Sequence, residues 1–192
     1  MTTSNRTPAV VCRRGVGPYL QAVAAAVLAI GAAAACGPST SPSPTGAGKP
    51  AATHATSGPV TLTTVDGKQV TVPGRVPTAL FFFSVAGCEE CLAGGKSFAQ
   101  AAAKTPGGKA AFLAVDMDPS DPPQKATDFL GQVGAPTLPA VIDKGAVLTG
   151  RFQVTALSTL IVVDPAGKVT YRATGPSADQ ITTALRQAGA GV

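Results

Sequence analysis

Thr78-Ala79-Leu80-Phe81-Phe82-Phe83-Ser84-Val85 runs through Ala86-Gly87 into Cys88-Glu89-Glu90-Cys91, and a helix-forming segment continues from there to about Lys104. The apolar run is continuous rather than alternating, the pattern of a central strand covered on both faces. Two cysteines three apart, placed where such a strand gives way to a helix, suit thiol–disulfide exchange. The first sulfur falls at the helix N-terminus, where free N–H groups and the positive end of the dipole favour thiolate over thiol. The second lies one turn later, close enough to close a disulfide. The three phenylalanines read as core.

Outward from this stretch the order of elements builds a domain. Upstream, Val60 to Val65 and Gln69 to Val72 alternate apolar and polar residues around Asp66-Gly67, which predicts a β-hairpin. Downstream, the first helix, Cys91 to Lys104, stops at Thr105-Pro106-Gly107-Gly108. A second buried strand follows over Ala110 to Asp116. Asp121-Pro122-Pro123 then opens a helix carrying Phe129, Leu130 and Val133. Strand, helix, strand, helix in this order implies parallel pairing through right-handed crossovers. Leu138 to Asp143 is a short strand-like segment, and Ala146 to Phe152 leads into a third core region. Thr159 to Asp164, the turn Pro165-Ala166-Gly167 and Lys168 to Arg172 form an antiparallel hairpin. A closing helix, Ser177 to Ala188, gathers Ile181, Ala184, Leu185 and Ala188 on one side. The pattern predicts a small α/β sandwich with a mixed central sheet.

Residues 1–36 read as a targeting segment, with Arg6, Arg13 and Arg14 ahead of an uncharged, mostly aliphatic stretch from Gly15 to Ala35. Ala33-Ala34-Ala35-Cys36 resembles a bacterial lipoprotein signal, in which small residues precede a cysteine that is lipidated and becomes the new N-terminus; Ala33 stands where leucine is usual. A stretch of this length can also stay in place as a single membrane anchor. Cys12 lies in the part left inside. Residues 37–59 are crowded with Pro, Ser, Thr, Gly and Ala, a flexible spacer that contains His54, the sole histidine. Residues 60–192 remain, about 130 residues, the size of one compact domain.

The chain carries 15 basic and 10 acidic residues, a net charge of +5. Three of the basic residues are in the leader, so the rest holds 12 against 10, and the basicity reflects export. No Lys/Arg cluster interleaved with aromatics is present, which removes the usual footprint of nucleic-acid binding. With Cys12 and Cys36 assigned to the leader, Cys88 and Cys91 are the cysteines of the domain, a pair that can hold a disulfide outside the cytoplasm.

The whole pattern, from about Val60 to Ala188, resembles the thioredoxin superfamily, and within it the membrane-tethered TlpA-like disulfide reductases. Phe81-Phe82-Phe83-Ser84 with Cys88-Glu89-Glu90-Cys91 is similar to that family's active-site strand and motif. Leu138-Pro139-Ala140-Val141-Ile142-Asp143 resembles the strand of its central insert, and Thr159 to Asp164, Gly167-Lys168-Val169 and Gly175 resemble its C-terminal hairpin. The resemblance implies a thioredoxin-like sandwich with an N-terminal β-hairpin. It also implies a protein disulfide substrate, an upstream membrane electron donor, and no cofactor beyond the redox-active pair Cys88 and Cys91.

Three departures from the family pattern bear on the site. Gly87 replaces the usual aromatic residue before the first cysteine. Ser158, after Leu157, occupies the position of the family's cis-proline in the substrate groove. A cis bond before serine costs about 3–4 kcal/mol, so a trans bond and an altered groove are expected. A rival register places Ala135-Pro136-Thr137-Leu138 in that role. Finally, no buried carboxylate is visible to serve the second cysteine: the two positions where branches of the superfamily carry one are Phe82 and Gly94, leaving water or Glu89 and Glu90 to move protons.

In the leading reading, Cys88 attacks a target disulfide and Cys91 resolves the mixed disulfide. Glu89 and Glu90 tune the couple: a carboxylate about 7 Å from the sulfur in near-aqueous dielectric opposes the thiolate by roughly 0.6 kcal/mol, about half a pKa unit. A less stable thiolate means a more stable disulfide, hence a reductase. The alternative is a catalytically weak thioredoxin-fold lipoprotein whose disulfide is structural and which acts as a binding module. Zinc requires four ligands and the domain has no histidine, so no metal is assigned. The surroundings expected of a peroxidatic cysteine are absent. Lys96 and Arg151 are expected in solvent, and Asp116 and Asp118 in a loop at a strand end.

Overall fold

Thr78–Phe83 forms a strand, β3, in which all six residues are buried. In the computed structural model, which describes residues 58–191, β3 is the middle of a five-stranded sheet of order β5-β4-β3-β6-β7. The expectations for the leader, Cys36 and the spacer with His54 fall outside the described residues. β4 (Ala111–Asp116) pairs parallel to β3, and β5 (Ala140–Ile142) parallel to β4. On the other side β6 (Thr159–Val163) pairs antiparallel to β3, and β7 (Val169–Thr174) antiparallel to β6. The predicted N-terminal hairpin, β1 (Val60–Thr63) and β2 (Gln69–Val72), is a separate two-stranded sheet. Its turn is tied to β5 by Val65 N–H donating to the Ala140 carbonyl at 2.8 Å.

The helices are α1 (Glu89–Lys104), α2 (Pro123–Gln132), α3 (Val147–Arg151) and α4 (Ala178–Gln187). Because side chains alternate across a strand, the pleat of β3 sorts its phenylalanines. Phe81 and Phe83 enter the larger core cluster with residues of α1, α2 and α4, whereas Phe82 and Leu80 enter a second cluster with Val72, Leu148 and Phe152. In the larger cluster Phe81 stacks on Phe98 of α1 at 5.5 Å between centroids, and Phe83 on Phe129 of α2 at 4.1 Å. β3 is therefore packed against both α1, which carries the cysteines, and α2. Among the described residues no helix is long and apolar enough to cross a membrane.

The expected elements are present, with three adjustments. β3 ends at Phe83, two residues before the predicted Val85: the chain leaves the sheet to reach α1 through Gly87, whose φ of 72° lies in the left-handed region. α1 begins at Glu89 rather than Cys91, so both glutamates lie in its first turn and Cys88 is the N-cap. Ala146 to Phe152, read only as an approach to the core, contains the short helix α3. Its free N–H groups are met by the buried Asp143, whose carboxylate accepts from Leu148 at 3.0 Å and Thr149 at 2.7 Å. A five-residue helix is too short to show a period in sequence.

Candidate functional site

Cys88 and Cys91 are joined in a disulfide with Cα atoms 5.3 Å apart. The two ends are unequal. Cys88 is partly exposed at the start of α1, and Cys91 is 1% exposed within the larger core cluster. An open cleft of about 500 Å³ surrounds the outer sulfur, lined by Val85, Gly87, Cys88, Glu89, Glu90 and Leu92. An incoming group thus reaches Cys88, while Cys91 is approached only through the protein. Gly87, in the place of the family's aromatic residue, leaves that side of the cleft open.

Glu89 and Glu90 are exposed on the first turn of α1, where negative charge complements the positive dipole end. Ser158 lies against the same turn. It is 1% exposed, and its hydroxyl donates to the Glu90 carbonyl at 3.2 Å. The Leu157–Ser158 bond is trans, and Ser158 instead takes a left-handed φ of 57°, a conformation that costs a residue with a Cβ about 1 kcal/mol. Its carbonyl accepts from Gly175 at 2.9 Å, so one residue links α1, β6 and the segment entering α4. Leu157 is half-buried and packs against the core cluster that holds Cys91. The rival segment goes elsewhere: Pro136, Thr137 and Leu138 line a separate cleft with Val65, Asp66 and Lys68 of the hairpin turn.

The structure also accounts for the two positions without an acid. Phe82 points to the face of the sheet opposite Cys91. At Gly94 there is no room: a Cβ would overlap Ser158 Oγ and approach the Phe81 ring to 3.0 Å. The serine hydroxyl and the glycine are two halves of one packing arrangement, 64 positions apart in the chain. Serine and glycine carry no sequence signal that would have joined them.

The loop role expected for Asp116 needs correcting: it is the last residue of β4 and the register partner of Phe83, and it is fully buried. Burial pushes its carboxyl up to about 6, partly countered by the Asp118 N–H that donates to Oδ1 at 3.1 Å. Its Oδ2 has no hydrogen-bond partner among the described residues. Asp116 does not line the cleft around Cys88. Asp118 is half-buried and engaged with Ser120. Lys96 is exposed on α1. Arg151 lines a cleft elsewhere with Gly58, Pro59, Pro73 and Lys168, donating to the Gly58 carbonyl. Among the described residues no group of three or more His, Cys, Asp or Glu side chains is placed to hold a metal ion.

A five-stranded mixed sheet, helices on both faces and a Cys-x-x-Cys disulfide at the start of α1 define a thioredoxin-like fold. Solved structures share the fold. StoA from Bacillus subtilis superposes with a TM-score of 0.58 at 20% identity, covering 68% of this chain and 98% of that one. DsbF of MTB gives 0.57 at 23%, covering 67% and 94%. A secreted Mycobacterium tuberculosis disulfide oxidoreductase homologous to E. coli DsbE gives 0.55 at 20%, covering 67% and 95%. No family model matches the chain. The mercury resistance operon ORF3 protein of Streptomyces lividans is 59% identical over 132 residues, 68% of this chain and 69% of that protein, and the chain belongs to its family.

Proposed function

We propose that the chain is an extracytoplasmic thiol–disulfide oxidoreductase that reduces disulfides of exported proteins. In this reading residues 1–36 direct export, Cys36 carries the lipid that holds the chain on the outer face of the cell membrane, and residues 37–59 space the domain of residues 60–192 from the bilayer. The observation that carries it is the asymmetry of the pair: Cys88 opens into a cleft at a helix N-terminus while Cys91 is enclosed. In the reduced protein the Cys88 thiolate attacks one sulfur of a target disulfide and expels the other as thiolate. Cys91, deprotonated, then attacks Cys88 Sγ and releases the second target sulfur. Two electrons have passed to the target and the protein is left as the Cys88–Cys91 disulfide, to be restored by two electrons from a membrane donor. No cofactor is required.

The test is reduction of insulin by the pre-reduced protein, together with its equilibrium against glutathione. Cys88→Ser is expected to abolish turnover, and Cys91→Ser to accumulate a mixed disulfide with target protein identifiable by mass spectrometry. A pair that exchanges with no disulfide overturns the reading and leaves a binding module with a static bridge.

The name of the Streptomyces relative favours a second reading. Reduced Cys88 and Cys91 form a pair of soft thiolate ligands, a donor set that prefers soft metal ions over hard ones. Capture of mercuric ion by these two sulfurs is the reading, and titration of the reduced protein with mercuric and zinc ions checks it. One equivalent of tightly held mercury, lost in the Cys88→Ser Cys91→Ser variant, is the supporting result.

A further inference from the structure

Among the described residues three large hydrophobic side chains stand exposed: Val85 at 36%, Leu92 at 39% and Val147 at 39%. Single exposed hydrophobics are ordinary. Here two of the three, Val85 from the β3–α1 loop and Leu92 from α1, line the same cleft as Cys88. The cleft's other large side chains are Glu89 and Glu90, both exposed. Neither carboxylate has a cation one turn on along α1: the positions three and four residues on hold Leu92, Ala93 and Gly94, and the nearest lysine of the helix, Lys96, is six and seven residues away. The ion pairs among the described residues are Lys68–Asp66, Lys104–Asp179 and Lys125–Asp121, none of which involves the cleft. Complementing the helix dipole accounts for acids in the first turn. It does not account for two uncovered hydrophobics beside a reactive sulfur.

Resting on the reading of Cys88 as the exchanging sulfur, we infer that the cleft selects protein segments whose disulfide is flanked by an apolar residue and by lysine or arginine. The apolar side chain covers Val85 and Leu92, and the cations face Glu89 and Glu90. The disulfide supplies the reaction, the hydrophobic pair the contact area, and the two carboxylates the sign of the partner's charge. A cation about 6 Å from one carboxylate in near-aqueous surroundings changes a rate about threefold. A lysine-flanked target is therefore favoured over its glutamate-flanked counterpart by about tenfold at low salt, and by much less once the Debye length falls below the charge separation.

The experiment uses the reduced full chain and three disulfide-linked peptide dimers, Lys-Leu-Cys-Lys, Glu-Leu-Cys-Glu and Lys-Ser-Cys-Lys, with hydroxyethyl disulfide as a neutral reference. Second-order rate constants are measured at about 20 mM and about 500 mM salt. The lysine dimer is expected to react about tenfold faster than the glutamate dimer at low salt, with the ratio approaching one at high salt and falling severalfold in Glu89→Gln Glu90→Gln, where the Cys88 thiolate is the anion that remains in the cleft. Taking the ratio cancels any change those substitutions make in the Cys88 pKa. Leu92→Ser is expected to slow the leucine dimer about threefold relative to the serine dimer. If hydroxyethyl disulfide is reduced but the lysine-to-glutamate ratio is one at both salts, the inference is overturned and the proposed function stands. If no disulfide is reduced at all, both fall.

Discussion

Replacing Gly94 by alanine tests the packing that sets Ser158 against α1. A methyl at position 94 would overlap Ser158 Oγ and come within 3.0 and 3.1 Å of two Phe81 ring atoms. Forcing a methyl into a filled core costs about 1–3 kcal/mol, and alanine in a helix interior returns about 1 kcal/mol relative to glycine. Because the overlap with Ser158 Oγ is severe, the cost lies in the upper half of that range, and a net loss of about 1–2 kcal/mol is expected for Gly94→Ala. Ser158→Ala alone removes the hydroxyl and its 3.2 Å bond to the Glu90 carbonyl. That acceptor lies within α1 and keeps its helical partner, so the loss is about 0.5–1 kcal/mol. In the double variant the new methyl occupies the space the hydroxyl vacated, while the ring atoms of Phe81 still have to give by a few tenths of an ångström. Gly94→Ala should then be nearly neutral, a coupling of about 1–2 kcal/mol against the 0.3–0.5 kcal/mol within which independent sites add. Urea unfolding of the oxidised protein, extrapolated linearly to water for the four members of the cycle, measures it. Additivity within about 0.3 kcal/mol would show that the two side-chain positions do not share one space.

Two further predictions concern stability. The Asp116 carboxyl is raised to about 6 in the folded protein from the ordinary value of 3.8. The folded state therefore binds that proton more tightly, and this group's contribution to stability grows as pH falls from above 6 to about 4, by about 2–3 kcal/mol in all. Asp116→Asn should be more stable than the parent at pH 8 and should lose that part of the pH dependence, a difference that isolates Asp116 from the carboxylates whose values are lowered, Asp66, Asp118 and Asp179. Urea midpoints at unit steps from pH 4 to 8 check it. At the start of α4, Ser177 accepts from Gln180 N–H at 3.3 Å and Gln180 returns a bond to Ser177 N–H at 2.8 Å. Ser177→Ala should lower the thermal midpoint through a loss of about 1 kcal/mol, and Ser177→Gly by clearly less.

The cysteine pair, the strand before it and the order of elements around them were legible without coordinates. Each is written in neighbouring residues: Cys88 and Cys91 are one helical turn apart, Thr78–Phe83 is apolar throughout, and Asp66-Gly67 and Pro165-Ala166-Gly167 mark the two hairpin turns. Covalent proximity and hydrophobic period are local quantities, so a sequence displays them directly. The helix start at Glu89 and the short α3 were harder to see. The first turns on a cap without a side-chain hydrogen bond, and the second on the reach of Asp143 to Leu148 and Thr149.

What the tertiary structure alone decided is which distant residues share a space. The left-handed turn at Ser158, the fit of its hydroxyl over Gly94, the burial of Asp116 level with Phe83, and the exposure of Val85 and Leu92 on one cleft all depend on pairing β3 between β4 and β6 and laying α1 across them. Such contacts join residues tens of positions apart, and no local propensity encodes them. Residue order was enough to single out the cysteine pair as the candidate site; only the folded chain determines what surrounds it, because burial, backbone strain and unpaired charge are properties of neighbours in space rather than in sequence.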